Sequence, residues 1–218
     1  MKRIFGDLKM SWLFVIIFSI IVGVYTGLIM LVPALKETSF QDIGISYECW
    51  VIFAVVIVVN CKKNWEAMLK CFVFFLISQP IVYLVQLPGP DLTLGDAVNY
   101  YINMWGPMTL LTLPGGLIAY YCKKQNVLGA VILGLGNTIQ AVLAVVYFGM
   151  AFNSMPYFHH ILSGILCVVS IFVMTFQIQK KKTNRLISIL IAAVLLVAIV
   201  VFCALTERQL IPQQIPSM

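Results

Sequence analysis

The hydrophobic residues of this chain are gathered into long runs that short polar segments separate. Because a helix needs about 20 apolar residues to cross the hydrocarbon of a bilayer, these runs predict seven membrane-spanning helices. The predicted helices cover residues 11–35, 46–60, 67–88, 98–121, 127–152, 157–178 and 186–206. The pattern therefore predicts an all-α, polytopic transmembrane bundle in which residues 1–218 form a single integral membrane domain.

The basic residues fall on alternate loops between these helices. With the N-terminus in the cytoplasm and the C-terminus outside, twelve of the fourteen basic residues lie inside and six of the eight acidic residues lie outside. Cytoplasmic loops of membrane proteins carry such an excess of Lys and Arg. Omitting any one helix would break the alternation. The inside set is Lys2, Arg3, Lys9, Lys62, Lys63, Lys70, Lys123, Lys124, Lys180, Lys181, Lys182 and Arg185.

Composition supports the same class of protein. The chain is 61% hydrophobic and 10% charged, with a mean hydropathy of +1.00, whereas water-soluble domains are about 45–50% apolar and about 25% charged. The net charge of +6 lies in short clusters between apolar runs, where membrane translocation and anionic lipids account for it. Membrane lipids are therefore expected partners, and nucleic acid is not.

The six cysteines have no Cys-x-x-Cys or Cys/His spacing, so we expect no metal and no cofactor. Cys49 and Cys203 both fall near the predicted outer face, and their spacing leaves a disulfide between them open.

Polar residues gather in predicted helices three to five. Pro80 and Pro114 interrupt these helices and remove backbone hydrogen bonds that protein groups must replace in hydrocarbon. Amide and aromatic side chains together suit a neutral or zwitterionic amphiphile. Glutamines that only link helices, and prolines that only bend them, remain the alternative. The candidate ligand-binding residues are Gln79, Tyr83, Gln86, Trp105, Asn137, Gln140 and Tyr147.

Small residues form one face of the first helix. Ser19, Gly23 and Gly27 are spaced by four and would let a neighbouring backbone approach closely. This face predicts either packing within the bundle or docking of another membrane protein.

No Asp, Glu, Lys or Arg lies deep within any predicted helix. This disfavours proton-coupled carriers, pumps and ion filters built on charged rings. Glu48, Asp91 and Asp96 are expected on a solvated surface at the outer boundary.

Two short motifs near the start of helix six do not predict a reaction. His159 and His160 are adjacent, so their side chains point about 100° apart on a helix, and the sequence assigns them neither a carboxylate partner nor a metal. Ser163-Gly164 lacks a base at a suitable spacing. We therefore expect a protein that is not an enzyme.

The segment from Leu76 to Lys124 resembles small, uncharacterised multi-pass membrane proteins of Gram-positive bacteria. The resemblance lies in Ile77-Ser78-Gln79-Pro80, Thr112-Leu113-Pro114-Gly115-Gly116 and Tyr120-Tyr121-Cys122-Lys123-Lys124. It implies a bacterial plasma membrane and no particular activity. The size and the small-residue face of helix one are also similar to the substrate-binding subunits of energy-coupling-factor vitamin transporters. Those subunits typically have six helices with both ends inside, so a seventh helix departs from their pattern.

The leading hypothesis from the sequence is a membrane protein that binds or translocates a neutral or amphiphilic small molecule through helices three to five. The alternative is a non-transporting accessory or regulatory protein that docks a membrane partner through the small-residue face of helix one.

Overall fold

The computed structural model describes residues 8–36, 38–45, 47–89, 92–153 and 160–206, and every regular element in these ranges is a helix. The α-helices are α1 Trp12–Met30, α2 Ser39–Ile45, α3 Tyr47–Asn60, α4 Asn64–Gln86, α5 Leu94–Tyr100, α6 Gly106–Ala119, α7 Val127–Asn153, α8 Ile161–Ile178 and α9 Lys182–Leu205. Several residues used in the sequence predictions lie outside the described residues: Lys2, Arg3, Glu37, Asp91, His159, Glu207 and Arg208.

Five of the helices are long and apolar enough to cross a membrane: α1, α4, α7, α8 and α9. The apolar helix over Glu48–Asn60 is shorter. By length and composition these are the helices of a membrane protein, as the sequence predicts. The predicted fourth span is composed of three consecutive elements, α5, a π-helical turn over Tyr101–Trp105, and α6.

The π-helical turn has a local cause in the sequence. Pro107 has no backbone N–H and cannot donate to the carbonyl four residues earlier. The chain instead widens by one residue, and Gly106 N–H bonds to the carbonyl of Tyr101. Such turns inside helices are frequent at functional sites.

The first helix ends earlier than predicted. α1 stops at Met30, and Pro33 begins a short 3₁₀ turn that ends at Leu35. Proline fixes its own backbone angle and lacks an N–H, which favours a break at this point. The short helix α2 that follows was not predicted, because seven residues are too few for a readable apolar period.

The chain divides into two compact units. Unit 1 comprises Met1–Lys36 and Gly44–Lys123, and unit 2 comprises Glu37–Ile43 and Lys124–Met218. In unit 1, α4 packs against α1, α3 and α6, whereas in unit 2, α7 packs against both α8 and α9. The single membrane domain stays a prediction from the sequence, and each of the two units is built around one central helix.

Three segments of unit 1 that carry basic residues meet at one end of the unit. The Lys123 ammonium donates to the carbonyl of Cys61, and the Tyr120 hydroxyl donates to the carbonyl of Lys62 at 2.5 Å. The backbone N–H of Leu8 donates to Asn60 Oδ1 at 3.0 Å. We call this the basic end of unit 1. The segments before α1, between α3 and α4, and after α6 therefore share one end, as the charge alternation requires.

Unit 2 has an equivalent basic end. Gln125 donates to the carbonyl of Ile178 at 2.8 Å and accepts the backbone N–H of Lys180 at 2.7 Å. The Arg185 guanidinium donates to the carbonyl of Gln179 at 2.6 Å. These bonds join the segment before α7 to the turn between α8 and α9.

The small-residue face of α1 packs inside unit 1. A Cβ atom at Gly23 would lie 2.7 Å from the carbonyl oxygen of Ser78, and one at Gly27 would lie 2.7 Å from Cβ of Val85. Ser19 is fully buried, and its hydroxyl donates to the carbonyl of Val15 at 2.6 Å. The small-residue face of α1, for which the sequence predicts either packing or docking, is therefore covered by α4.

We predict opposite effects of one added methyl group at two helical glycines. Gly23→Ala should lower the free energy of unfolding by about 1–3 kcal/mol, because it over-packs the α1–α4 contact. Gly115→Ala is the matched control, since nothing lies within 4 Å of its added Cβ. It should stabilise by about 0.5–1 kcal/mol through helix propensity. Unfolding of the purified variants in detergent measures both, and equal effects would contradict the packing.

Candidate functional site

The predicted ligand-binding residues fall into two groups. Unit 1 contains Gln79, Tyr83, Gln86 and Trp105, and unit 2 contains Asn137, Gln140 and Tyr147. The contacts of each group are those within its own unit.

The aromatic residues of unit 1 form a connected group. The Tyr83 hydroxyl accepts a hydrogen bond from the Trp105 indole, and the Tyr83 ring stacks on Tyr100 with centroids 6.4 Å apart. The Trp105 ring lies 6.3 Å from that of Trp50. Gln86 donates instead to the carbonyl of Val82 in its own helix at 3.0 Å. The structure thus brings Tyr83 and Trp105 together, whereas the amide of Gln86 supports α4.

Helix register places four buried polar residues of unit 1 at the same level. α3 and α4 are antiparallel, since the Trp50 ring lies 5.6 Å from that of Phe75 and Cys71 Sγ contacts the carbonyl of Ala54. Glu48, two residues before Trp50, therefore lies at the level of the residues of α4 that follow Phe75, close to Ser78.

α4 and α6 are antiparallel as well. Gly116 lies against Ala67 and Cys71, and Trp105 bonds to Tyr83. Thr109 therefore lies beside the intermediate part of α4, near Ser78 and Gln79. We call Glu48, Ser78, Gln79 and Thr109 the polar layer of unit 1.

Three neutral groups of the polar layer lack hydrogen-bond partners. Ser78 Oγ, Gln79 Nε2 and Thr109 Oγ1 are buried and have no partner within the described part of the chain. The three side chains are at most 2% exposed. Leaving such a group unpaired costs about 1–3 kcal/mol, so buried polar atoms of this kind usually bind a water molecule, an ion or a ligand. The polar layer is the candidate functional site.

Glu48 corrects one expectation from the sequence. It was expected on a solvated surface, but its side chain is 0% exposed. The reason is that α3 begins at Tyr47 and packs against α4, and its first turn, with Glu48, Cys49 and Trp50, is buried. A buried carboxylate in an apolar helical bundle is costly and is commonly functional.

The amides of unit 2 are used differently. Asn137 is fully buried, and its Nδ2 donates to Thr175 Oγ1 at 2.8 Å and to Ser188 Oγ at 3.0 Å. These bonds join α7 to both α8 and α9. Gln140 is fully buried one turn further along α7. Asn137 therefore acts first as a link between helices.

A second polar cluster of unit 2 surrounds the start of α8. Asp42 Oδ2 lies 2.7 Å from His160 Nδ1 and accepts a hydrogen bond from the Ser163 hydroxyl at 2.8 Å. The His160 ring stacks on Tyr147 with centroids 6.2 Å apart. The sequence could not assign a carboxylate to His160, and the structure supplies Asp42. Because Ser163 donates to Asp42 rather than to the imidazole, these residues do not have the geometry of a hydrolytic triad.

The cysteines are free thiols, including Cys49 and Cys203. Burial raises the pKa of the Cys61 thiol to about 11 and that of Cys122 to about 12. Both thiols at the basic end of unit 1 therefore stay protonated at neutral pH and are poor nucleophiles. Among the described residues, no group of three His, Cys, Asp or Glu side chains could hold a metal ion.

Comparison with protein-family models, curated proteins and solved structures finds no match to this chain.

Sequence reasoning found part of this site. Gln79 is predicted from the sequence as a polar residue in mid-helix, and Ser78 lies two residues before Pro80, one of the two prolines that draw attention to this region. Glu48 and Asp42 were missed, because the sequence does not show which boundary residues a neighbouring helix covers.

We predict that Thr109→Val will not lower stability in the unliganded protein, because it removes a buried hydroxyl that has no partner within the described chain. Asn137→Leu should cost about 1–2 kcal/mol, since it removes two hydrogen bonds between helices. The free energy of unfolding in detergent compares the two variants. Equal losses would mean that Thr109 holds helices together as Asn137 does.

Proposed function

We propose that this chain is an integral membrane protein that crosses the bilayer seven times, with the basic ends of both units in the cytoplasm. The five long apolar helices support this topology, and α3 and the α5–α6 segment supply the remaining two crossings. Support for the orientation comes from the excess of Lys and Arg at the basic ends. The resemblance to multi-pass proteins of Gram-positive bacteria favours a bacterial plasma membrane.

The proposed activity is the binding of a small molecule in the polar layer of unit 1. The observation that carries it is the set of three buried neutral groups without partners, Ser78 Oγ, Gln79 Nε2 and Thr109 Oγ1. Two hydroxyls and an amide can donate to a carbonyl or ether oxygen of a ligand and accept from its hydroxyl. In hydrocarbon such groups have no water to replace the missing bonds.

The proposed ligand is uncharged and carries oxygen or nitrogen acceptors on an apolar body. The unpartnered groups are neutral, so they do not compensate a full charge in an apolar environment. The aromatic group of Tyr83, Tyr100 and Trp105 offers ring surface next to the polar layer.

The contacts of α1 weigh against the accessory-protein alternative. Its docking face, Gly23 and Gly27, is covered by α4. A partner would need another surface of the protein.

Native mass spectrometry of the purified chain tests the proposal. The wild-type protein should retain a small molecule of defined mass, and the double variant Ser78→Ala, Thr109→Val should retain at least tenfold less, because both hydroxyls are lost. Ser170→Ala is the matched control. Ser170 is also buried, at 5% exposed, but its hydroxyl already donates to the carbonyl of Cys167 at 2.7 Å.

Two results would overturn the proposal. One is equal retention by the wild-type protein and the double variant. The other is a wild-type protein that carries no molecule from its native membrane and is not stabilised by any uncharged compound of a screened library, which would leave ordered water as the partner of the polar layer.

A further inference from the structure

The basic ends of the two units differ in their balance of charge. At the basic end of unit 1, the Glu66 carboxylate binds the Lys70 ammonium and accepts the backbone N–H of Lys62 at 2.9 Å. At the basic end of unit 2 the sequence supplies no such group, because residues 97–206 include no Asp or Glu. The cations at this end are Lys124, Lys180, Lys181, Lys182 and Arg185. They form a cluster of positive charge without an acidic residue in the same segment.

The described chain places one acidic residue in unit 2, and it lies elsewhere. Asp42 binds Ser163 and His160 at the start of α8, whereas the basic end of unit 2 lies where α8 finishes, at Ile178. Asp42 therefore does not neutralise the cluster.

The helices that start at the two basic ends differ as well. Lys63 is the N-cap of α4 and Lys181 is the N-cap of α9. The first turn of α4 contains Glu66, whereas the first turn of α9 contains no acidic residue and its N-cap side chain makes no hydrogen bond to the helix. The start of a helix carries a partial positive charge that favours anions. The start of α9 therefore adds to the positive charge of this end, whereas Glu66 compensates the start of α4.

Arg185 is held in place at the basic end of unit 2. Its Nε donates to the carbonyl of Gln179 at 2.6 Å, and an Nη group donates to the carbonyl of Phe176 at 3.5 Å. The guanidinium carbon lies 4.9 Å from the centroid of the Phe176 ring. A guanidinium has five N–H donors, of which these two bonds occupy two. The other donors can bind the oxygens of a phosphate, which a guanidinium recognises well.

An exposed apolar stripe of α8 leads to the Arg185 guanidinium. Its members lie on one face of the helix, at i, i+4, i+7 and i+11, and are 45–51% exposed: Ile165, Val169, Phe172 and Phe176. The rings of Phe172 and Phe176 stack with centroids 6.5 Å apart. At 1.5 Å per residue the stripe is about 16 Å long, close to half the roughly 30 Å thickness of bilayer hydrocarbon. It therefore has the length of the acyl chains of one leaflet.

We propose that the basic end of unit 2 binds the phosphate of an anionic phospholipid whose acyl chains lie along the apolar stripe of α8. The phosphate binds Arg185 and the lysines at the start of α9, and the stripe contacts the chains below it. Symmetric pairing of two copies of the protein through this face would bring two clusters of cations together, which is unfavourable. The inference rests on the membrane crossing of α8 and α9 proposed above, but not on the ligand proposed for unit 1.

Native mass spectrometry of the purified full chain, freed of bound lipid by detergent exchange, tests this site. The wild-type protein should bind dioleoyl-phosphatidylglycerol at least tenfold more tightly than dioleoyl-phosphatidylcholine, which has the same acyl chains and no net charge. Each Lys or Arg beside an anionic lipid contributes roughly fivefold to binding. The double variant Lys181→Gln, Lys182→Gln should therefore bind phosphatidylglycerol at least tenfold less tightly. Both side chains are exposed, so the variant should keep its fold.

The double variant Lys62→Gln, Lys63→Gln is the matched control. It removes the same charge from exposed positions at the basic end of unit 1, where Glu66 is present, and should leave the affinity for phosphatidylglycerol nearly unchanged. Equal affinity of the wild-type protein for the two lipids would overturn the proposal, and so would equal losses in the two double variants. Displacement of phosphatidylglycerol by an equal concentration of glycerol 3-phosphate would also overturn it, because the site would then bind a soluble anion rather than a lipid.

Discussion

The hydrocarbon of a bilayer offers no hydrogen bonds, so every buried polar group of a membrane protein must find its partner within the protein or in something the protein binds. This chain meets part of that demand at the ends of its helices. Lysine, glutamine and arginine side chains bind the backbone carbonyls of neighbouring turns at the basic ends of both units. Asn137 meets the demand within unit 2. In the described chain, three neutral groups of the polar layer of unit 1 stay without hydrogen-bond partners, as does Asn137 Oδ1 of unit 2.

The two units share several features of their construction. Each has a central helix, α4 or α7, that follows a corner with two adjacent lysines and carries a buried glutamine near its middle, Gln79 or Gln140. Close packing against another helix is obtained in both through glycine: Gly23 meets α4 in unit 1, and Gly134 of α7 meets Ser188 and Ile191 of α9 in unit 2. In unit 1 the central helix also contains Pro80, next to the unpartnered Ser78 and Gln79. α4 continues through Pro80, and the proline and the candidate site therefore lie at the same part of this helix.

The length of the hydrophobic runs was enough to predict the helical class and the approximate position of most helices. A helix that crosses a bilayer needs a fixed length of apolar residues, so run length identifies it without any periodic pattern. Gln79 could be selected as a polar residue in the middle of such a run. Burial at helix boundaries could not be predicted. Glu48 and Asp42 both lie in short acidic segments that the sequence assigns to the surface. Packing of α3 on α4 buries Glu48, whereas Asp42 is 14% exposed and bonds to Ser163 of α8.

Membrane orientation is the most direct test of the account. The groups of the polar layer are cut off from water by hydrocarbon only if α4 crosses the membrane. Single cysteines at Lys63, Lys181 and Gly95, in a chain whose native cysteines are replaced by serine or alanine, can be labelled in intact cells with a membrane-impermeant maleimide. All three positions are exposed. The account predicts labelling of Gly95→Cys in intact cells, and of Lys63→Cys and Lys181→Cys only after the membrane is opened. Labelling of all three from outside, or the reverse pattern, would contradict it.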